Sequence, residues 1–364
     1  MLRKDAVLMT MADPTIPTPY PRDIRLRSLD LLKSPCYNSP HCRAKGLMES
    51  ISLQDIQQAA ERLRGIAHVT PVQTSSQLNE ASGASVFLKC ENFQRVGAFK
   101  FRGAYHAIST LPPEQQGKPV VTISSGNHAQ GVALACRLLG RKAHILAGGL
   151  TSPIKRQAVL DYGATIHDAA DHLDAERKLP ALMAELHGVY IHPFNDPQVI
   201  KGQGTVMLEF LSAVPDLDIV LAPVGGGGLL SGTCIAAHGI KPAVQVYACE
   251  PTGALDALHS VRENRIVPMP NPRTIAEGLK TSLGDVTLPI LREHLAGFFV
   301  VPEDEIVPAM RFAFERLKLI IEPSAAVALA PLLRREPVLV GKKVGVIVTG
   351  GNVDLSGFFE QLTG

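Results

Sequence analysis

The chain has 364 residues, 46% of them hydrophobic and 19% charged, so it can bury a large core in two domains or in one divided domain. Its formal net charge of +2 is too small to favour a nucleic acid or an anionic membrane as a partner, and the sequence contains no basic run and no stretch of about 18 apolar residues. Small molecules are therefore the expected partners.

The first 47 residues are expected to be a disordered leader. Residues 1–46 contain six prolines, and eight Lys or Arg against four Asp, with no helical or strand period. The four acids argue against a transit peptide. The alternative is an N-terminus longer than the fold needs, since Met48 lies just before the first helix.

The six cysteines include no CxxC pair, and Cys136, Cys234 and Cys249 fall inside apolar helix or strand patterns. A free thiol in such a place behaves as a small hydrophobic group. This pattern favours a reducing environment, so we expect a cytoplasmic protein.

The globular pattern begins with a helix capped by Ser52, with Asp55 three residues on and an apolar face at helical spacing. A short helix at residues 75–82 and an apolar strand at residues 85–90 follow. This strand brings the chain to Lys100.

Lys100 lies between Phe99 and Phe101, at the start of a helix predicted for residues 101–111. Burial beside aromatic rings lowers the pKa of a lysine, and the positive end of a helix dipole lowers it further. A neutral lysine is a nucleophile, and its usual use is a Schiff base with a carbonyl compound. The alternative is a surface lysine whose stem covers apolar neighbours.

Three later segments share one layout of apolar strand, small-residue turn and helix, which indicates parallel α/β structure. In the first, a strand at residues 120–123 leads to a turn and a helix at residues 129–139. Free N–H groups at that helix start could receive a carboxylate or a phosphate. Plain helix capping is the alternative. The turn consists of Ser124, Ser125, Gly126, Asn127 and His128.

The second segment has a strand at residues 219–224, four glycines and a helix at residues 229–237. The glycines are Gly225, Gly226, Gly227 and Gly228. Backbone N–H groups without side chains can surround a phosphate, whereas a flexible linker is the alternative. No lysine follows as in a P-loop, and no GxGxxG with a distant acid is present, so neither nucleotide motif fits.

The third segment has a strand at residues 344–348, then Thr349, and a helix predicted for residues 355–361. Thr349 could simply cap that helix. Helices at residues 153–162 and 174–187 and a strand at residues 164–167 lie between the first two segments, and a strand at residues 244–249 lies between the last two.

Two acids follow the strand at residues 244–249, namely Glu250 and Asp256. Two carboxylates with a loop carbonyl can bind Mg²⁺ or Ca²⁺, and a solvated turn is the alternative.

Two anion sites and one activated lysine are expected to meet at the strand ends of a single sheet. Pyridoxal phosphate with an amino acid is the simplest ligand set that uses all three features. Lys100 would hold the cofactor, the four glycines its phosphate, and the turn at residues 124–128 the substrate carboxylate.

Five motifs together resemble the fold-type II pyridoxal phosphate enzymes, and most closely their serine racemase, threonine dehydratase and hydroxyaspartate dehydratase branch. They occupy residues 93–104, 124–131, 223–229, 322–325 and 349–354. The resemblance implies an α/β fold like that of the tryptophan synthase β subunit, with two open parallel-sheet domains and the active site between them. Residues 48–118 and 196–364 would form the large domain, and residues 119–195 the small one.

The resemblance also implies roles for individual residues. Lys100 would be the Schiff-base lysine and a base on one face of the substrate, and Phe99 would pack on the pyridine ring. Asn127 would hydrogen-bond the phenolic oxygen, the four glycines would bind the phosphate, and Thr349 would meet the pyridine nitrogen. A hydroxyl there does not enforce a protonated ring, which suits elimination.

Ser125 matches the acid or base on the opposite face in serine racemases, and dehydratases of the branch also have it. Glu250 and Asp256 match acids of a divalent-metal site, with Ala254 offering a backbone carbonyl. Residues 276–284 resemble a substrate-side loop, with Arg177 as a further candidate near it. A homodimer is implied, and control by isoleucine through the regulatory module of biosynthetic threonine dehydratases is not expected.

The leading hypothesis is an ammonia-lyase that converts L-threonine or L-serine to a 2-oxo acid and ammonia by β-elimination. An amino-acid racemase, serine above all, and a 3-hydroxyaspartate dehydratase are the close alternatives. A ligand sensor without catalysis belongs to another class, and the pair of bases argues against it. A nicotinamide dehydrogenase is the weakest alternative because GxGxxG is missing.

Overall fold

The structure is a computed structural model that describes residues 51–149, 153–354 and 357–360. The predicted leader lies outside the described residues, as do parts of the helix predicted for residues 355–361, of which residues 357–360 are helical. No helix in this described part of the chain is long and apolar enough to cross a membrane.

Helices and strands alternate along most of the described chain. The strands are β1 Val72–Gln73, β2 Ser85–Cys90, β3 Val120–Ile123, β4 Ala143–Gly148, β5 Thr165–Ala169, β6 Val189–Tyr190, β7 Ile219–Pro223, β8 Gln245–Pro251, β9 Gly297–Val301 and β10 Lys343–Val348. The α-helices are α1 Leu53–Leu63, α2 Ser76–Ser82, α3 Lys100–Ser109, α4 Asn127–Leu138, α5 Pro153–Asp161, α6 His172–Leu186, α7 Pro197–Ala213, α8 Gly228–Ile240, α9 Asp256–Glu263, α10 Thr287–His294, α11 Glu303–Phe312, α12 Pro323–Ala326 and α13 Ala330–Leu333. Short 3₁₀ turns cover Glu91–Phe93, Arg95–Gly97, Pro113–Gln115 and Glu277–Leu279, and a π-helical turn covers Ala313–Leu317.

The strands form two sheets rather than one. The six-stranded sheet has the order β1-β2-β10-β7-β8-β9, parallel except for the edge strand β1. The four-stranded sheet has the order β5-β4-β3-β6 and is parallel throughout. The prediction that the two anion sites and Lys100 meet at the strand ends of a single sheet is therefore wrong. Strand β3 belongs to the smaller sheet, while β7 and β10 belong to the larger one.

The α/β architecture with two parallel sheets confirms the predicted fold class. The strands at residues 85–90 and 120–123 have the predicted bounds, since runs of buried apolar residues between turns define them. The predicted capping box is also present, because the Asp55 side chain accepts from the Ser52 N–H at 2.8 Å and the Asp55 N–H donates back to the Ser52 hydroxyl at 3.2 Å. The domain bounds stay a prediction.

Helix α7 is the largest element that the sequence pattern did not indicate. It is buried along most of its length, so it lacks the one-sided apolar stripe by which a surface helix is recognised. Glycines on both sides of the helix contacts allow close packing. A Cβ on Gly202 of α7 would lie 2.7 Å from the Arg102 carbonyl oxygen of α3, and a Cβ on Gly232 of α8 would lie 2.5 Å from the Ile200 carbonyl oxygen of α7. Helix α7 thus joins α3 and α8, which carry two parts of the site described below.

The cysteines of the described chain are buried free thiols, as predicted for Cys136, Cys234 and Cys249. Burial raises the pKa of Cys136 to about 12, so that thiol stays protonated and unreactive.

Candidate active site

A cavity of about 1140 Å³ opens where the carboxyl ends of strands from both sheets face each other. This is the usual place for a ligand in open α/β structures. The residues predicted to bind cofactor or substrate all line it, namely Phe99, Lys100, Ser124, Ser125, Gly126, Asn127, His128, Gly225, Gly226, Gly227, Gly228 and Thr349. The structure therefore assembles at one site the features that the sequence presents far apart.

Lys100 is the first residue of α3, and its amine donates a hydrogen bond to the Pro193 carbonyl oxygen at 2.8 Å. Burial lowers the pKa of Lys100 to about 8, and the nearby Glu322 carboxylate partly opposes this. The amine lies 5.2 Å from the centre of the Phe99 ring. Phe101 instead points into the core, where its ring centre is 5.8 Å from that of Tyr105. The predicted pKa shift is confirmed in direction, with desolvation as its main cause.

A buried ion cluster holds α3 in place two residues after Lys100. The Arg102 guanidinium makes two 2.8 Å hydrogen bonds to Glu91, and it bonds the two carboxylate oxygens of Glu209 on α7 at 2.6 and 2.8 Å. Lys89 donates to Glu209 as well, at 2.6 Å. Paired charges of this kind tolerate burial because each donor has an acceptor. Sequence reasoning missed this cluster because Glu209 lies 107 positions from Arg102 and 120 from Lys89.

The glycines at residues 225–228 are needed by their surroundings as well as by any ligand. A Cβ on Gly226 would lie 2.3 Å from the Phe194 ring, and one on Gly225 would lie 2.8 Å from the Gly278 carbonyl oxygen. Gly227 has a φ of +85°, a left-handed conformation that favours glycine. It precedes α8 without any side-chain cap, so the first N–H groups of that helix lack a side-chain acceptor. This donor set suits a phosphate.

The segment from His192 to Asn195 was not singled out from the sequence. Besides the Pro193 carbonyl that meets Lys100, it supplies the Phe194 ring against the glycines. The His192 Nδ1 atom accepts from the Asn195 N–H at 2.9 Å, and burial lowers the pKa of His192 to about 4. His192 is therefore neutral at pH 7, and it shapes the segment rather than carrying charge.

The turn after β3 is arranged by internal hydrogen bonds. The Gly126 N–H donates to the Ser124 hydroxyl oxygen at 3.2 Å, and the Ser125 hydroxyl donates to the Gly148 carbonyl oxygen at 2.8 Å. Gly126 is the N-cap of α4, and no side chain caps this helix. The alternative of plain capping by Ser or Asn is therefore wrong, and the helix start is left to receive an anion.

His128 lies in the first turn of α4 and is almost fully buried. Its Nε2 atom is 3.4 Å from the Ile191 carbonyl oxygen, while its Nδ1 atom has no hydrogen-bond partner within the described chain. Burial is the main cause that lowers the pKa of His128 well below its usual value, and the Lys100 charge adds to it. The ring is therefore neutral.

Asn127 is fixed from both ends of its side-chain amide. Its Nδ2 atom donates to the two Glu322 carboxylate oxygens at 2.8 and 3.0 Å, and its Oδ1 atom accepts from Asn352 Nδ2 at 2.9 Å. Burial raises the pKa of Glu322. Both partners belong to motifs quoted above, but the sequence offered no reason to join them to Asn127.

Thr349 directly follows β10, lines the cavity and is 3% exposed. Its carbonyl oxygen accepts from the Phe99 N–H at 3.1 Å, so β10 holds the residue before Lys100 directly. Thr349 thus lies among the residues around the lysine.

The loop predicted on the substrate side also reaches the cavity, through residues 277–282. Glu277 of this loop pairs with Lys155 at 2.9 Å. Arg177 does not line the cavity; it is exposed and pairs with Asp174 at 3.3 Å. His172 and Glu176 of the same helix line the cavity instead.

Glu250 and Asp256 are buried away from the residues that line the cavity. Glu250 accepts from the Ala257 and Leu258 N–H groups at 2.7 and 3.0 Å, whereas Asp256 Oδ2 has no partner within the described residues. Burial raises the pKa of Asp256 to about 7, and burial with the Asp256 charge raises that of Glu250 well above its usual value. The described chain has no cluster of three or more acidic, His or Cys ligands, so any cation here needs backbone oxygens such as that of Ala254.

Residues 63–350 match the family described as pyridoxal-phosphate dependent enzymes. A serine racemase of Dictyostelium discoideum is 44% identical over 320 residues, which are 86% of this chain and 99% of the relative. A β-hydroxyaspartate dehydratase of Paracoccus denitrificans is 41% identical over 83% of this chain and 96% of the relative. The solved serine racemase of maize superposes with a TM-score of 0.82 at 40% identity, over 85% of this chain and 96% of the other, and a solved threonine deaminase superposes with a TM-score of 0.80 at 39% identity, over 84% and 99%. The residues matched by the family, 63–350, include all those that line the cavity.

Proposed function

The chain belongs to the family of pyridoxal-phosphate dependent enzymes of fold type II, and on this premise we propose that it acts on serine and related 3-hydroxy amino acids. The proposal includes two reactions at one active site. One is racemisation of serine, and the other is loss of the β-hydroxyl to give a 2-oxo acid and ammonia.

One observation carries this proposal: Lys100 and Ser125 line the same cavity but lie after strands of different sheets. Lys100 lies beyond β2 of the larger sheet, and Ser125 follows β3 of the smaller one. An amino acid held between the two walls would meet a proton-transfer group on each face. Racemisation by a two-base route uses one group on each face, whereas elimination uses a base on one face only.

The comparisons favour these alternatives over a preference for L-threonine, which was the leading hypothesis. Proteins named serine racemase from Dictyostelium discoideum and Homo sapiens are 44% and 41% identical to this chain. The preferred substrate is therefore proposed to be serine, with L-threonine as a slower substrate for elimination.

The donor groups of the cavity support binding of pyridoxal phosphate. We assign the phosphate to the residues 225–228 and the uncapped start of α8, the covalent link to Lys100, and the phenolic oxygen to Asn127. Phe99 would face the ring and Thr349 its nitrogen. Bound pyridoxal phosphate supplies the electron sink that makes the α-proton of an amino acid acidic.

Lys100 is the proposed base on one face of the substrate. A pKa of about 8 leaves a useful fraction of the amine neutral near pH 7, so it can accept a proton and return it. Ser125 is the proposed acid or base on the other face. For its hydroxyl to donate to the substrate, its hydrogen bond to the Gly148 carbonyl must break or be shared.

The substrate carboxylate is assigned to the turn formed by Ser124, Ser125, Gly126, Asn127 and His128. The uncapped start of α4 supports this, because its N–H groups and helix dipole favour an anion. In the elimination, Lys100 would accept the α-proton, and the β-hydroxyl would leave together with that proton as water. The unsaturated amine that remains would take up one water to give the 2-oxo acid and ammonia.

A divalent cation, Mg²⁺ or Ca²⁺, is proposed at Glu250 and Asp256 with the Ala254 carbonyl. The unpartnered Asp256 oxygen supports this assignment, since a buried carboxylate oxygen without a donor is costly. A cation would also offset the burial and the repulsion from Asp256 that together raise the pKa of Glu250. The metal would act through structure, since these residues are not part of the cavity wall.

A homodimer in a reducing cytoplasm completes the proposal. Buried free thiols at Cys90, Cys136, Cys234 and Cys249 are compatible with such a compartment. The dimer rests on family resemblance alone, and sedimentation of the purified protein would test it.

The decisive experiment incubates the purified protein and pyridoxal phosphate separately with L-serine, D-serine and L-threonine. Chiral chromatography follows the remaining amino acid, and a coupled assay follows the 2-oxo acid. We expect D-serine and pyruvate from L-serine. Absence of the opposite isomer after many turnovers would remove the racemase part, and absence of both products would remove the whole proposal.

A second candidate function is a 3-hydroxyaspartate ammonia-lyase. Relatives with that activity in their names, from Saccharomyces cerevisiae and a Pseudomonas species, are 41% identical to this chain. The cavity wall also carries Lys280 and Lys155, which could meet a second carboxylate once Lys155 exchanges its pairing with Glu277. L-threo-3-hydroxyaspartate is therefore the fourth substrate, and its kcat/KM relative to that of L-serine decides between the two functions.

A further inference from the structure

Asn352 lies where three parts of the site meet: the loop before Lys100, the first residue of α4 and the turn after β10. Its Nδ2 atom donates to the Val96 carbonyl oxygen at 2.6 Å and to Asn127 Oδ1 at 2.9 Å. Both hydrogens of this amide nitrogen are thereby used.

The hydrogen bond from Asn352 to Asn127 selects one orientation of the Asn127 amide. Asn127 has an acceptor and a donor at the end of a side chain that can turn over, and the two orientations have nearly the same shape. In the observed orientation the donor of Asn352 meets Oδ1, while Nδ2 meets the Glu322 carboxylate at 2.8 and 3.0 Å. In the opposite orientation, the Asn127 N–H₂ group would face the Asn352 N–H₂ group, and the Asn127 oxygen would face the Glu322 carboxylate.

The hydrogen bond from Asn352 to the Val96 carbonyl oxygen holds a strained backbone at Val96. Val96 has a φ of 58°, a left-handed conformation that is rare for a β-branched residue, and it is 8% exposed. Gly97 follows with a φ of +69°, and a Cβ there would lie 2.5 Å from Asn352 Oδ1. The Gly351 N–H also donates to the Gly97 carbonyl oxygen at 3.0 Å. The conformation of the loop before Lys100 is thus held by contacts with Asn352 and its neighbour Gly351.

We propose that Asn352 is a positioning residue that fixes the orientation of the Asn127 amide, so that its N–H₂ group, which donates to the Glu322 carboxylate in this structure, is the group that would donate to the bound cofactor. The inference rests on the proposed function, because the role of Asn127 toward the phenolic oxygen belongs to that proposal. An amide N–H aimed at this oxygen would draw off negative charge that otherwise holds the proton on the nitrogen linking cofactor and lysine. Asn352 therefore acts on cofactor binding and on that proton, but touches neither.

The test is a double-mutant cycle on Asn352→Ala and Asn127→Ala with two readouts that do not involve turnover. One is the dissociation constant of pyridoxal phosphate for the apoprotein, and the other is the pH at which the visible band of the bound cofactor is half titrated. For Asn352→Ala we expect about tenfold weaker binding, as two ordinary hydrogen bonds are lost, and a half-titration at higher pH. The same shift is expected for Asn127→Ala, and the double variant should add little to either.

Three further variants separate this role from general disruption. Asn352→Asp keeps the shape but replaces the donor, so it should reproduce the shift even if the alanine variant folds poorly. Val96→Gly relieves the strained φ, and in the Asn352→Ala background it should leave the titration shift in place. Asn92→Ala removes a neighbouring amide that donates to the Ile320 carbonyl at 3.4 Å, and it should titrate like the unmutated protein.

A half-titration pH unchanged in both Asn352 variants would overturn the inference, and so would full recovery with Val96→Gly. The proposed function would then still stand if the unmutated protein shows the visible band and produces D-serine. Failure of the unmutated protein to turn over any of the four substrates would count against the proposed function instead.

Discussion

The amine of Lys100 and the carbonyl oxygen of Pro193 are joined by a 2.8 Å hydrogen bond, although the two residues lie 93 positions apart in the sequence. This bond ties the proposed nucleophile on α3 to the segment whose Phe194 ring covers the glycines at residues 225–228. The lysine and the phosphate loop are therefore held in one arrangement by a third segment of chain.

Replacement of Lys100 should remove the chemistry altogether. In Lys100→Ala we expect loss of the visible band of the covalently bound cofactor and a fall in kcat/KM for L-serine of at least ~10³-fold, because both the covalent link and one base are lost. Absorption spectra and the coupled assay measure the two effects. Lys118→Ala is a matched control, since this exposed lysine lies outside the cavity; turnover at the normal rate by Lys100→Ala would contradict the assignment.

Ser125→Ala should separate the two reactions. Removal of the hydroxyl deletes the group on one face only, so we expect racemisation of L-serine to fall ~10²-fold or more while elimination retains most of its rate. The ratio of D-serine to pyruvate measures this separation. Equal losses in both products would argue that Ser125 binds the substrate and does not transfer the proton.

The rate of cofactor incorporation should depend on the ionisation of Lys100. Burial lowers the pKa of Lys100 to about 8, so the neutral amine is the minor form at pH 7. We expect the visible band to form about tenfold faster per pH unit below pH 8, with a plateau above it. Stopped-flow absorbance over pH 6 to 10 gives the profile.

Glu322→Gln provides the internal comparison for that profile. The Glu322 carboxylate raises the pKa of Lys100, so its neutralisation should move the midpoint to lower pH. A midpoint that stays in place would contradict an electrostatic effect of Glu322 on Lys100.

Divalent metal should stabilise the protein through Glu250 and Asp256. The folded-state pKa of Asp256 is raised to about 7, so without metal the folded protein binds more protons than the unfolded one, and stability falls as pH rises from about 4 to 7. At pH 8, we expect Mg²⁺ or Ca²⁺ to raise the Tm and a chelator to lower it. Asp256→Asn should raise the metal-free Tm and remove the response to metal.

The control for the metal is Glu114→Gln, which alters an exposed acid. It should leave the Tm and its response to metal unchanged. An unaltered Tm for the unmutated protein across millimolar Mg²⁺ and Ca²⁺ would contradict the metal site.

The ion cluster around Arg102 should be essential to stability. Arg102→Met would leave Glu91 buried without a cation, and we expect a loss of about 3–5 kcal/mol in the free energy of unfolding. Urea denaturation followed by circular dichroism measures it. Arg64→Met, which removes an exposed i,i+3 pair with Glu61, should cost less than about 1 kcal/mol.

The sequence alone determined the local parts of this protein. Three local features could be predicted because periodicity, capping and glycine conformations depend on neighbouring residues. They are the strands β2 and β3, the capping box at Ser52 and Asp55, and the glycine turn at residues 225–228. The lowered pKa of Lys100 was predicted for a related reason, since its apolar neighbour Phe99 is adjacent in the chain.

Only the tertiary structure decided how these parts are joined. The division into two sheets, the burial of Asp256, the bond from Lys100 to Pro193 and the connection of Asn127 to Glu322 and Asn352 all depend on contacts between distant residues. Such contacts form when packing removes polar groups from water and each group must find a partner. No local pattern encodes which distant partner that will be.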